Sequence, residues 1–139
     1  MSRDGPDATR TDDARSAIAT IANSGSRRDY VITFRRRLAG ARPTTVTLRY
    51  VPDKWLIVAA ALAAHLDAIA AAAGTAAEPL ALALLDDVND EVVPRWIEVT
   101  VDVMGEGDGA APLGHRVTIE DRQPGWTDPS ALLTRLGPA

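Results

Sequence analysis

Apolar and polar positions alternate with a period of two in some stretches of this chain and with a helical period in others. Their order predicts the fold. Arg28–Arg37 reads as a first strand, in which Tyr30, Ile32 and Phe34 alternate with Val31, Thr33 and Arg35. Leu38–Pro43 supplies the Gly and Pro of a turn. Thr44–Val51 is a second strand, with Val46, Leu48 and Tyr50 on one face and Thr45, Thr47 and Arg49 on the other. The two should pair as an antiparallel hairpin. Pro52 and Asp53 break the second strand, and a first helix is expected from about Trp55, with Leu62, Leu66 and Ile69 on one face. Gly74 and Thr75 end it, Gly74 being suited to a left-handed residue after a helix.

A second helix opens at Glu78–Pro79, because Pro is favoured at the first helical position. It runs to about Glu91 with Leu80, Leu84 and Val88 on one stripe, and Pro94 stops it. In Arg95–Val103, Ile97, Val99, Val101 and Val103 alternate with Trp96, Glu98, Thr100 and Asp102. Gly105–Gly114 reads as a loop and His115–Asp121 as a fourth strand. The order β-β-α-α-β-β predicts an α+β fold, an antiparallel four-stranded sheet with two helices on one face. The domain is expected over residues 19–122, between a disordered tail at 1–18 and an irregular tail at 123–139 with a short helix near Ala131–Leu136. The two edge strands should leave open edges, which pairing between subunits would close, so a homo-oligomer is expected.

Composition narrows the function. The 139 residues fit one domain. The net charge of −4 argues against a dedicated nucleic-acid binder. The chain has no Cys, which removes disulfides, thiolate metal sites and every cysteine nucleophile. Aromatics are only 4%, so the core must be aliphatic and small, and a core of that kind often leans on oligomerisation. Trp55–Ala73 has the length of a membrane span, but it is mostly Ala with Asp67 inside it, and a buried soluble helix is the expected form. Residues 1–16 carry no apolar stretch of the kind a secretory signal requires, and a cytoplasmic location is expected.

Among residues that could carry chemistry, Glu78 stands first. At a helix start its carboxylate is either an ordinary first-turn acid or an anchor that accepts paired N–H donors from a planar ring. His115, at a strand start after the Gly-rich loop, is a candidate general acid–base. Arg35 and Arg36 could hold a substrate, or could face solvent at a strand end. His65 reads as a structural or surface histidine. Asp86, Asp87, Asp90 and Glu91 read as a solvated helix face rather than a metal cluster. The Gly105–Gly109 loop lacks the Lys and Ser or Thr of a phosphate loop. No metal and no cofactor is expected; the expected partner is a small molecule.

Three blocks together resemble the NADPH-dependent 7-cyano-7-deazaguanine reductases, members of the tunnelling-fold (T-fold) superfamily. They are Ile21–Tyr30, with its Arg28-Asp29-Tyr30; Thr44–Leu56, which is similar to a T-x-T-I-x-Y-x-P-D-K-W-L run; and Leu85–Val99, which is similar to a helix end followed by D-P-R-Y-I-E-V. The resemblance spans roughly residues 20–103. It implies a T-fold unit and an oligomeric barrel. It also implies that Glu78, on the Glu of the family's F-H-E motif, anchors a deazaguanine-like ring. The catalytic features depart from the pattern. Ala77 stands at the motif's His, no Cys lies between the first two strands, and Val58–Ala63 replaces the polar cofactor run E-S-K-S-L-K. Nitrile reduction in the family begins with thiolate addition, so the chemistry must differ. Two readings follow: a divergent, cofactor-independent enzyme of small-molecule metabolism, or a non-catalytic ligand-binding or partner subunit. The purified protein is expected not to oxidise NADPH in the presence of 7-cyano-7-deazaguanine. Nitrile-dependent loss of NADPH absorbance would contradict this reading.

Overall fold

The two-faced pattern of the central strands organises the molecule. The computed structural model describes residues 18–40, 42–73, 76–106 and 113–139. In chain order the elements are β1 (Thr20–Ala22), β2 (Ile32–Leu38), β3 (Thr44–Val51), β4 (Trp55–Ile57), α1 (Ala59–Ala73), α2 (Ala77–Val92), β5 (Trp96–Glu106), β6 (Leu113–Arg122) and α3 (Leu132–Leu136). The fold is α+β. Strands β2-β3-β5-β6 form an antiparallel sheet in that order.

Register sorts the residues into layers. Phe34, Leu48, Val99 and Ile119 lie side by side across the four strands, and Arg36, Val46, Val101 and Val117 form the next row. Tyr50 and Ile97 continue this face, and Leu62 and Leu66 of α1 and Leu80, Leu84 and Val88 of α2 join it in one buried cluster. Both helices therefore cover one face, as the period-two and helical stripes require. The other face is polar. Its rows are Thr33, Arg49, Glu98 and Glu120; Arg35, Thr47, Thr100 and Thr118; and Arg37, Thr45, Asp102 and Arg116. Arg49 is buried there by its 2.7 Å ion pair with Glu98, by Trp96, whose ring centre lies 5.7 Å from the guanidinium, and by a 2.9 Å hydrogen bond to the Gly137 carbonyl. The C-terminal tail is thus tied across the polar face, where it ends in α3.

Several sequence expectations shift. The first strand begins at Ile32 rather than Arg28. The apolar run at Trp55 does not start a helix: Trp55–Ile57 forms β4 and pairs antiparallel with β1 in a separate two-stranded sheet. Bulky Trp, Leu and Ile suit a strand, and long-range anchors hold them there. The Ile57 amide donates to the Tyr50 hydroxyl at 2.9 Å, and Asn23 donates from its side chain to the Asp53 carbonyl at 2.8 Å. Burial pushes the Tyr50 phenol above its ordinary pKa, and the Ile57 N–H bond offsets part of that rise. Helix α1 is 15 residues long, and no helix among the described residues is long and apolar enough to cross a membrane. Its expected terminator, Gly74 with Thr75, lies outside the described residues, as do 107–112 of the Gly-rich segment. Ile18, placed in the N-terminal tail by the sequence reading, is buried in the core; residues 1–17 lie outside the described residues.

Helix α2 begins at Ala77, after Ala76 in extended conformation, so Pro79 occupies the third helical position rather than the first. It is tolerated there because amides of the first turn have no intrahelical acceptor. The helix stops at Val92, where Val93 turns left-handed at φ 48° and donates its amide to Asn89 at 3.2 Å. Pro94 disfavours a further helical residue before it. A β-branched residue in this conformation is strained, at a cost of about 1–2 kcal/mol for an L-residue. Val93→Gly is expected to stabilise the fold by about 1 kcal/mol and to raise Tm by about 3–6 °C. Thermal unfolding checks this; an unchanged or lower Tm would show that the Val93 conformation carries no strain.

Candidate functional site

Glu78 is the only acid in the first turn of α2, and no side chain caps the preceding Ala76. Its carboxylate reaches across to β6 and lies 3.1 Å from Nε2 of His115. Strand parity explains the meeting. His115 pairs with Val103 and shares the helix-facing side of β6 with Val117 and Ile119. Helix α2 is tied to the same strand at its other end, where Asn89 Nδ2 donates to Asp121 at 3.1 Å. Eleven helical residues rise about 16 Å and six strand residues about 20 Å, so both ties fit a helix running along the strand. Glu78 is 60% exposed and His115 33%, so the pair sits at an open edge of the sheet. A carboxylate there accepts N–H donors, and the imidazole beside it can pass a proton to or from a bound molecule.

Arg35 and Arg36 do not join this pair. They lie on β2, at the opposite end of the strand order and about 14 Å away over three strand spacings. Being consecutive in a strand, they also face opposite sides. Arg35 Nε donates to Thr47 Oγ1 at 3.3 Å on the polar face. Arg36 faces α1 and grips Asp67 through Nε at 3.1 Å and Nη2 at 2.8 Å. These hydrogen bonds, with the charge of the partner, hold the Asp67 carboxyl below its ordinary pKa and the Arg36 guanidinium above its own. Two of the four candidates from the sequence are brought together, then, and the arginines stand apart from them and from each other.

The structure also shows a pair that the sequence reading divided between a structural His and a solvated acid. His65 Nε2 lies 2.8 Å from Asp87 Oδ2, and the two side chains are 0% and 7% exposed. They join α1 to α2 inside the core. The Nδ1 atom of His65 is buried without a hydrogen-bond partner among the described residues. Helical spacing carries the missing signal. Asp87 follows Leu80 by seven and Leu84 by three, and His65 follows Leu62 by three and precedes Ile69 by four, so both fall on the buried stripes. Among the described residues no group of three or more His, Cys, Asp or Glu could hold a metal ion.

No protein-family model matches this chain, and a search of curated proteins finds no match.

His65→Leu is expected to destabilise the protein by about 3 kcal/mol or more, because Asp87 keeps its buried carboxylate and loses its 2.8 Å contact with His65. The double variant His65→Leu, Asp87→Leu should recover part of that loss. Urea unfolding checks both, and a single variant as stable as the parent would mean that the pair contributes nothing.

Proposed function

We propose that the protein is a divergent T-fold relative of the 7-cyano-7-deazaguanine reductases that no longer reduces nitriles. On this reading it is a cytoplasmic homo-oligomer that binds a planar heterocycle, or another small hydrogen-bonding molecule, through Glu78 at a seam between subunits. The observation that carries the reading is the 3.1 Å approach of His115 to Glu78. The two residues were singled out on separate grounds, one by its place at a helix start and the other by its place after a Gly-rich loop. Their meeting gives an anchor and a proton carrier at one place.

The strand order supports the same reading. β2 and β6 are the ends of the four-stranded sheet, with no further strand beyond them among the described residues. Edge-to-edge pairing of copies would bury both edges and close a barrel. Such pairing brings a neighbouring subunit beside the half-open Glu78–His115 pair on β6, so the pocket is completed by assembly. The chemistry proposed is metal-free and cofactor-free: Glu78 accepts two N–H donors of the ring, and His115 transfers a proton. Reactions of this type include proton transfer and cyclisation.

A non-catalytic binding or assembly subunit is the second reading. It is favoured by the distance of Arg35 and Arg36 from the pair, which leaves His115 as the sole proton carrier among the four candidates.

The test uses 7-cyano-7-deazaguanine and guanine as planar probes in calorimetry, with sedimentation on the same samples. A charge-assisted hydrogen bond contributes about 1.5–3 kcal/mol, so Glu78→Gln should weaken probe binding at least tenfold. The exposed position of Glu78 predicts an unchanged Tm, and sedimentation should give a multiple of 14.7 kDa. Wild-type affinity in Glu78→Gln, or a monomer at micromolar concentration, would overturn the proposal. Loss of turnover with retained binding in His115→Gln would favour the enzyme over the binding subunit.

A further inference from the structure

A hollow of about 290 Å³ lies between the polar face of the sheet and the C-terminal tail. Strand parity builds its first wall. Arg49, Glu98 and Glu120 share one row of the polar face, and Trp96 and Arg122 are paired in the next row of the same face, so all five side chains stand on the tail's side of the sheet. Leu133 and Leu136 of α3 line the opposite wall. The tail is held there on either side of α3. Asp128 accepts from the amides of Leu132 and Leu133 at 2.8 and 3.0 Å, and the Gly137 carbonyl accepts from Arg49 at 2.9 Å. Leucines therefore face charged groups. Neither wall satisfies the other, because hydrocarbon offers a charge no hydrogen bond.

The charges divide into a committed pair and an open one. Arg49 and Glu98 are largely buried and lie 2.7 Å apart. Glu120 and Arg122 are half-exposed, and a single nitrogen, Nη2, reaches the two carboxylate oxygens at 3.4 Å, a long hydrogen bond. Trp96 Nε1 donates to Glu120 Oε1 at 3.0 Å and orients that carboxylate. We propose that the hollow binds a free amino acid with a branched aliphatic side chain. Its carboxylate rests on Arg122, its ammonium on Glu120, and its hydrocarbon part lies against Leu133 and Leu136. Charge balance selects the zwitterion. A simple anion meets Glu98 and Glu120 on the same wall, and a simple cation meets Arg49 and Arg122. A zwitterion replaces one long, solvent-screened ion pair with two close ones. Volume sets the size. At about 30 Å³ for each water-sized group the hollow holds about nine or ten non-hydrogen atoms, which is the size of leucine. The hollow lies on the face of the sheet away from α1 and α2, so it is separate from Glu78 and His115 and does not rest on their proposed role.

The probes are L-leucine, 4-methylpentanoate, 3-methylbutylamine and glycine, titrated into the full-length protein by calorimetry and by tryptophan fluorescence, to which Trp96 contributes from the wall of the hollow. Leucine is expected to bind at least tenfold more tightly than each of the others, which lack the ammonium, the carboxylate and the side chain in turn. Arg122→Gln and Glu120→Gln should each weaken leucine at least tenfold, as the loss of a hydrogen bond to a charged group implies. The replacement amide at position 120 still accepts from Trp96, and both positions are half-exposed, so thermal melting should show both variants folded. Leu136→Ser, at an exposed position, should weaken leucine at least fivefold and leave glycine unchanged. Absence of leucine binding up to its solubility limit, equal affinities for leucine and 4-methylpentanoate, or parental leucine affinity in any of the three folded variants would overturn the proposal.

Discussion

Strand β3 is paired on both sides, with β5 along its full length and with β2 over Thr44–Tyr50, and its register decides which residues share a face everywhere else in the sheet. With Leu48 opposite Phe34 and Val99, Val46, Leu48, Ile97, Val99 and Val101 turn toward the helices, and Thr45, Thr47, Arg49, Glu98 and Thr100 turn away. A slip of one residue would put Arg49, Glu98 and Thr100 under α2 and expose the valines, so alternatives are strongly disfavoured. The same register reaches the edges. It turns His115 toward the start of α2, where Glu78 waits, and it divides Arg35 from Arg36. The candidate chemistry therefore inherits its geometry from packing two strands away, with no loop needed to set it.

Much of this was legible in the sequence because period-two alternation and the leucine stripes each report a buried face. Thr44–Val51 is found as expected, and Leu80, Leu84 and Val88 are fully buried on α2. What escaped depends on partners far along the chain. Trp55–Ile57 becomes a strand because residues 20–22 pair with it, and no local pattern in a continuous apolar run announces that. The set Glu78, His115, Arg35 and Arg36 could be nominated by residue type, but its division into one pair and two separate arginines follows from strand order. Asp87, expected on a solvated helix face, is buried for a different reason, while His65 is structural as expected. The chemical type of Asp87 suggests solvent, but its spacing from Leu80 and Leu84 places it on the buried stripe.

Helix α1 shows how the molecule compensates for its composition. Alanine side chains bury little area, so the helix cannot be held by aliphatic packing alone. Polar ties supplement it: His65 to Asp87 inside, and Arg36 to Asp67 at the rim. The two differ in kind. The rim pair is exposed and screened by solvent, and it orients the helix against β2 more than it stabilises it. The inner pair is dry, so breaking it costs far more than the pair itself contributes. The Arg36–Asp67 clasp also has a definite pH range. Because the Asp67 carboxyl is lowered from its ordinary value, the clasp acts fully above the unfolded-state carboxylate range and fades as pH falls through the lower folded-state value.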